Sequence, residues 1–317
     1  MRRTLTIALV LVFAATAHAA TDTIRRGFNV ADGGTLRLDA GVGSITIVSG
    51  GNGVAFEVIR TARGSHDEEQ LREHQIKFSQ EGNDVVVESD FDHSWDRWFR
   101  EYDVRWNIRV PAHYNIDVKT SGGSIDLADL GGKVDAHTSG GWIKTGRIAG
   151  PANLKTSGGS ITVNGARGDV VAHTSGGSIT IGETAGPVEA KTSGGSITIS
   201  RTEGDVLAHT SGGNIRIEDA SGAVSASTSG GSINARLSRQ PRGDSRLSTS
   251  GGVVSVQLAG NIGVELDAHA SGGGVQSDVP VTVLGKQDDD SIRGSINGGG
   301  PKLVLRSSGG GIRVKPI

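Results

Sequence analysis

Thr192-Ser193-Gly194-Gly195-Ser196-Ile197-Thr198-Ile199 is one copy of a word that runs through most of this chain. The tetrad Thr-Ser-Gly-Gly begins at Thr120, Thr138, Thr156, Thr174, Thr192, Thr210 and Thr228, always 18 residues after its predecessor. It returns at Thr249, then as Ala270-Ser271-Gly272-Gly273 and Ser307-Ser308-Gly309-Gly310, after steps of 21, 21 and 37 residues. Around each tetrad the residues alternate: Val188 and Ala190 before, Ile197 and Ile199 after, with polar residues between. A period of two belongs to a half-buried strand, and paired glycines argue against a helix. One 18-residue unit has too few aliphatic side chains to offset the cost of ordering its backbone, so each unit must stack on its neighbours. The reading is an all-β chain: a single-stranded right-handed β-solenoid (β-helix) of 18-residue, two-strand coils. Coils about 4.8 Å apart make the ten tetrads a rod on the order of 45–50 Å long.

Outward from the repeats the pattern loosens. Met1-Arg2-Arg3, the apolar run from Leu5 to Ala17 and Ala17-His18-Ala19-Ala20 read as a secretory signal peptide over residues 1–20. Residues 21–110 read as the irregular N-terminal β segment of the rod, with one short helix. Leu36-Arg37-Leu38 and Gly43 to Ile47 resemble a degenerate coil. Ser65-His66-Asp67-Glu68 is a capping box, predicting a helix to about His74 with Leu71 turned inward. A hairpin is expected around Glu81-Gly82-Asn83-Asp84, and a strand carrying Val104, Trp106, Ile108 and Val110 on one face. Residues 111–317 form the repetitive part, with an insertion near 277–300.

Composition excludes several function classes. The 317 residues carry 32 basic and 34 acidic side chains, no basic excess for nucleic acid. There is no cysteine, so disulfides, a thiol nucleophile and a thiolate metal site are excluded. No stretch after the leader is apolar enough to span a membrane as a helix. Gly-Gly repeats bring the calcium β-roll to mind, but the aspartate it needs does not recur; Asp126 stands alone and one place early. Ser160/Thr162, Ser178/Thr180 and Ser196/Thr198 form a hydroxyl ladder too short for an ice-binding face. No nucleophile elbow, zincin helix or phosphate loop appears, and Asp288-Asp289-Asp290 reads as a solvated turn. Neither a cofactor, a metal nor a catalytic group is expected.

Two surfaces remain as candidates. Just before successive tetrads stand Lys119, His137, Lys155, His173, Lys191 and His209, an outward stripe in which lysine and histidine alternate. Such a stripe suits an anionic polymer and gains charge below about pH 6.5. It is a poor metal site, because its histidines are two coils or about 9–10 Å apart. The competing reading is a solvated face whose charges are balanced by Asp117, Asp135 and Glu189. The second surface is aromatic: Trp95, Trp98, Phe99 and Tyr102 lie among acidic and basic residues, and Trp142 replaces the serine that usually follows Gly-Gly. Aromatics of this kind stack on sugars, grip a protein partner or plug the flank of the rod.

The segments Trp106-Asn107-Ile108-Arg109-Val110-Pro111, Ile116 to Ile125 and Ile292 to Gly300, with the repeated Thr-Ser-Gly-Gly-Ser-Ile units, resemble a bacterial family of DUF4097-type solenoids named putative adhesins. The resemblance covers most of residues 24–317. It implies the solenoid fold and a non-enzymatic, exported adhesive or envelope-interacting protein, and supplies no catalytic residues. The strict 18-residue register and the tryptophan-rich loop are departures from that family. The expected partner is a cell-envelope or surface glycan, or an envelope protein. A carbohydrate-binding or polysaccharide-lyase-like protein using the aromatic loop and the stripe is the alternative.

Overall fold

The computed structural model describes residues 19–63, 67–91, 102–283 and 288–317. Their strands fall into two long sheets, of 14 and 15 strands, and among them there is one helix, Asp67–Glu73. Over the repeats the chain alternates between the sheets. Val134–Thr138 lies in one, Ile143–Ile148 in the other, and Ala152–Lys155 returns to the first. Within each sheet the strands are parallel and in register. Val134 faces Ala152, which faces Val170, Val188, Val206 and Val224 in turn, each 18 residues further on. The step becomes 21 at Ile233 and Val254, where the tetrad spacing also changes. Fourteen strands spaced by about 4.8 Å extend roughly 60 Å.

The core lies between the sheets, and alternation decides its contents. One sheet gives a column of large residues, Ile143, Ile161, Ile179, Ile197 and Ile215; the other gives a column of Ala136, Ala172, Ala190 and Ala208 broken by Leu154, all buried.

The tetrad forms a corner where the chain crosses between sheets. Its threonine points inward, is buried, and donates its hydroxyl to the carbonyl of the second glycine one coil back. Thr138 bonds Gly123 O at 2.7 Å, Thr174 bonds Gly159 O at 2.7 Å, and Thr192 bonds Gly177 O at 2.8 Å. Ser307 does the same to Gly252 O at 2.8 Å. The two glycines are not equivalent. A Cβ on Gly177 would sit 2.1 Å from Gly159 O, whereas one on Gly176 would sit 3.0 Å from Gly158 O. Neither has positive φ. The second glycine is required by the approach of the neighbouring coil.

At the N-terminal end the chain order and the stacking order part. Leu36 faces Ile116 and Ile45 faces Ile125, so the coil of Thr35–Asp39 and Ser44–Ser49 seats on the first repeat. Asp84–Phe91 and Tyr102–Val110 pair in parallel on its other side, which puts a later segment further out. Antiparallel strands then close both sheets. Val54–Arg63 pairs with Tyr102–Val110 and Ala19–Phe28 with Val54–Arg63, while His74–Glu81 and Asp84–Phe91 form the expected hairpin. Val104, Trp106, Ile108 and Val110 are buried, as their alternation predicts. The helix differs in detail from its expected placement. Gln70 is its buried residue and Leu71 is only half-buried, and the chain has already turned into a strand at His74.

The C-terminal end corrects a simpler expectation of coils stacked in chain order with an insertion. Lys302–Ser307 and Ile312–Pro316, last in the chain, sit between two earlier coils. They pair with Ser245–Thr249 and Val254–Leu258 on one side, and with Val264–Ala270 and Val275–Ser277 on the other. Ser291–Ile296, from the inserted segment, runs antiparallel to Val264–Ala270 and covers its free edge. Carbonyls of Asp289 and Asp290 accept the N–H groups of Val275 and Ala270, so part of the acidic run closes the final corner. An uncovered edge would present unpaired backbone to other chains, and among the described residues the outermost strands at this end are short, Thr282–Val283 in one sheet and Val275–Ser277 in the other.

Candidate interaction surface

Strand register brings Lys119, His137, Lys155, His173, Lys191 and His209 into one outward column. The column runs on through Ser227, Ser248, Arg306 and His269. Lys155, His173, Lys191 and His209 line an open groove with Ser175 and Ser193. The charge of the column is not free along its length. Glu189, two residues before Lys191, accepts from Lys191 Nζ at 2.6 Å and lies 2.9 Å from His173 Nε2. Its carboxyl is held below the usual range chiefly by the Lys191 hydrogen bond, with burial opposing and His173 adding a smaller lowering effect. His209 Nδ1 shares a hydrogen bond with Ser227 Oγ at 2.7 Å. At the far end Arg306 pairs with Asp267 at 2.6 Å, and Arg293 reaches the same carboxylate at 3.2 Å. The neighbouring column holds Asp117, Asp135 and Asn153, with Asn153 Nδ2 donating to Asp135 at 3.1 Å. Glu189 thus sits between Lys191 and His173 in the middle of the stripe.

The aromatic residues separate. Trp95, Trp98 and Phe99 lie outside the described residues. Trp142 projects from its corner into solvent with 44% of its surface exposed. Tyr102 is half-buried in the other sheet from the stripe, and its hydroxyl is 2.7 Å from His74 Nδ1.

Tyr102 belongs to a polar cluster that sequence reasoning missed. Arg60 is buried, forms an ion pair with Asp22, and donates to the carbonyls of Leu71 at 3.0 Å and His74 at 2.8 Å. His74 Nε2 lies 2.6 Å from Ser89 Oγ. Burial first, then the Arg60 charge, pushes the His74 pKa down to about 4; burial raises that of Tyr102. The cluster ties the first strand, the helix and the hairpin to the end of the rod. Its members are far apart in the chain and share no spacing, so no sequence motif announces them.

The Toastrack DUF4097 family model matches residues 38–315. The chain belongs to the Toastrack DUF4097 family. The match starts within the first coil and runs to the last strand, so it takes in the threaded C-terminal coil and the N-terminal closing segments other than Ala19–Phe28. A comparison with curated proteins finds no match. Among solved structures, the chain is similar to a putative adhesin from Bacteroides fragilis, with 15% identity, 75% of this chain and 97% of that chain covered, and a TM-score of 0.41. A putative lipid binding protein from Parabacteroides distasonis is 12% identical over 92% of this chain and 96% of that one, with a TM-score of 0.39. A putative adhesin from the same species is 13% identical over 93% and 97%, with a TM-score of 0.36. Among the described residues no helix is long and apolar enough to cross a membrane.

Proposed function

We propose that this Toastrack protein is an exported, non-enzymatic rod that holds a rigid outer face for adhesion or for contact with the cell envelope. The observation that carries the reading is the register: outward residues of successive coils stand in columns, Lys119 to His209 being one of them. A repeated, rigid display suits a partner that is itself repetitive, because each added contact loses little further entropy. Export is supported by the leader-like sequence of residues 1–20. The coils are right-handed in this proposal, the hand that parallel crossovers of twisted strands favour. Residues 21–110 act as the closing end and residues 111–317 as the displaying body.

The test uses the mature protein mixed with isolated envelope fractions, sedimented, and the supernatant analysed for released sugars or peptides. Co-sedimentation without released product is the expected result. Failure to sediment with any fraction refutes the display reading, and steady product release refutes the non-enzymatic one.

A further inference from the structure

One outward residue per coil stands between the Gly-Gly pair and the strand that follows, and in most coils it has a structural duty. Ser160 Oγ accepts the N–H of Ser178 at 3.1 Å, Ser178 Oγ that of Ser196 at 3.2 Å, and Ser196 Oγ that of Asn214 at 3.1 Å. Asn214 Oδ1 continues the ladder to the N–H of Ser232 at 2.7 Å. Trp142 interrupts it. Its own N–H is received by Ser124 Oγ at 3.3 Å, but an indole has a donor and no acceptor, so Trp142 returns nothing to the N–H of Ser160. It also leaves a large ring 44% exposed to water. Both features cost the fold something that serine at this position would not, so stacking does not explain this tryptophan.

We propose that Trp142 is the platform of a saccharide-binding site, taking a β-linked, gluco-configured pyranose chain laid along the rod. Such sugars carry a face of axial C–H groups that stacks on an aromatic ring, and equatorial hydroxyls that need polar partners at the rim. The rim is present. On either side of Trp142 along the ladder are Ser124 and Ser160, whose lone pairs serve the next coil and whose O–H groups remain as donors. Two residues on, Lys144 is exposed and lies in register between Asp126 and Thr162. Spacing agrees as well: a pyranose is about as long as one inter-strand step, about 4.8 Å, so successive sugars meet successive coils. The stripe of lysine and histidine is in the other sheet and takes no part. This assignment rests on the reading of the rod as a display surface, and adds to it a ligand class and a place.

The decisive variant is Trp142→Ser, which restores the ladder while removing the platform. Hexamers of β-1,4-linked N-acetylglucosamine and β-1,4-linked glucose are titrated by calorimetry, with the α-1,4-linked glucose hexamer as control, against wild type, Trp142→Ser and Trp142→Phe. We expect wild type to bind at least one β-linked hexamer, Trp142→Ser to bind it at least tenfold more weakly, and Trp142→Phe to fall between. The melting temperature of Trp142→Ser is expected to equal or exceed that of wild type. Unchanged affinity in Trp142→Ser, no wild-type binding to either β-linked hexamer at millimolar concentration, or equal binding of the α-linked control overturns the site. A lower melting temperature for Trp142→Ser overturns it too, since the tryptophan would then be serving the fold. Loss of this site with retained envelope sedimentation leaves the display reading standing, which keeps the two failures apart.

Discussion

Replacing one glycine of a tetrad with alanine should do very different things at its two positions. At Gly177 the new Cβ would lie 2.1 Å from Gly159 O, 2.4 Å from Gly159 C and 2.5 Å from Ser160 N. All three are backbone atoms of the next coil, so no side chain can rotate away and the coils must move apart. Parting them stretches the Thr174–Gly159 hydrogen bond and the strand pairing on either side. Overpacking a well-filled core costs about 1–3 kcal/mol when side chains can yield; with backbone against backbone, Gly177→Ala should cost about 3 kcal/mol or more. At Gly176 the closest approach is 3.0 Å to Gly158 O and the next is 3.6 Å to Ser157 O, relieved by a shift of a few tenths of an ångström. Alanine also restricts the unfolded chain, which offsets about 0.4–1 kcal/mol of the strain where the native backbone accepts it. Gly176→Ala should therefore lie within about 1 kcal/mol of wild type. The assay is urea unfolding of both variants, with hydrogen exchange across residues 157–200 to locate the weakened coils, since each coil is coupled mainly to its neighbours. Equal destabilisation of the two variants would rule out this steric distinction, and so would a Gly177→Ala variant within about 1 kcal/mol of wild type.

Thr174→Val keeps the buried shape but removes the donor to Gly159 O; urea unfolding should show a loss of about 1–2 kcal/mol, against little change for the outward Thr180→Val. His74 has its pKa pushed down to about 4 from 6.5, so the unfolded chain binds the extra proton first. Stability is complete above pH 6.5 and is lost as the pH falls towards 4, by up to about 3 kcal/mol, and His74→Gln should flatten that dependence between pH 6.5 and 4.5 in denaturation curves. Deleting residues 301–317 removes a coil from between two others, so limited proteolysis should then cut within residues 264–296, well inside the new terminus. Glu189→Gln releases Lys191 and His173 from their shared carboxylate; if the stripe holds an acidic polysaccharide, its retention at low salt rises, and unchanged retention assigns the stripe to solvation.

The repeating body is legible in the residues alone. Register follows from a period of two with one face buried, because a slip of one residue would turn every Ile197-like position into water. The 18-residue spacing then dictates which residues share a column, so the Lys/His stripe is legible from spacing alone. Steric demands at the corner were half legible. The word Thr-Ser-Gly-Gly marked the place, but that its threonine faces inward to the neighbouring coil, and that only the second glycine lacks room, emerges from coil-to-coil approach. The ends are set by long-range packing. A terminal coil can be closed by any segment that supplies backbone partners, and spacing along the chain does not say which segment reaches the edge first. Thus Lys302–Pro316 threads between earlier coils, and Arg60, His74, Ser89 and Tyr102 meet in one cluster, through contacts with no local signature. Trp142 stood out in the sequence as a break in a pattern. That the break withholds an acceptor from the next coil depends on where the Ser160 N–H lies, which only the folded stack determines.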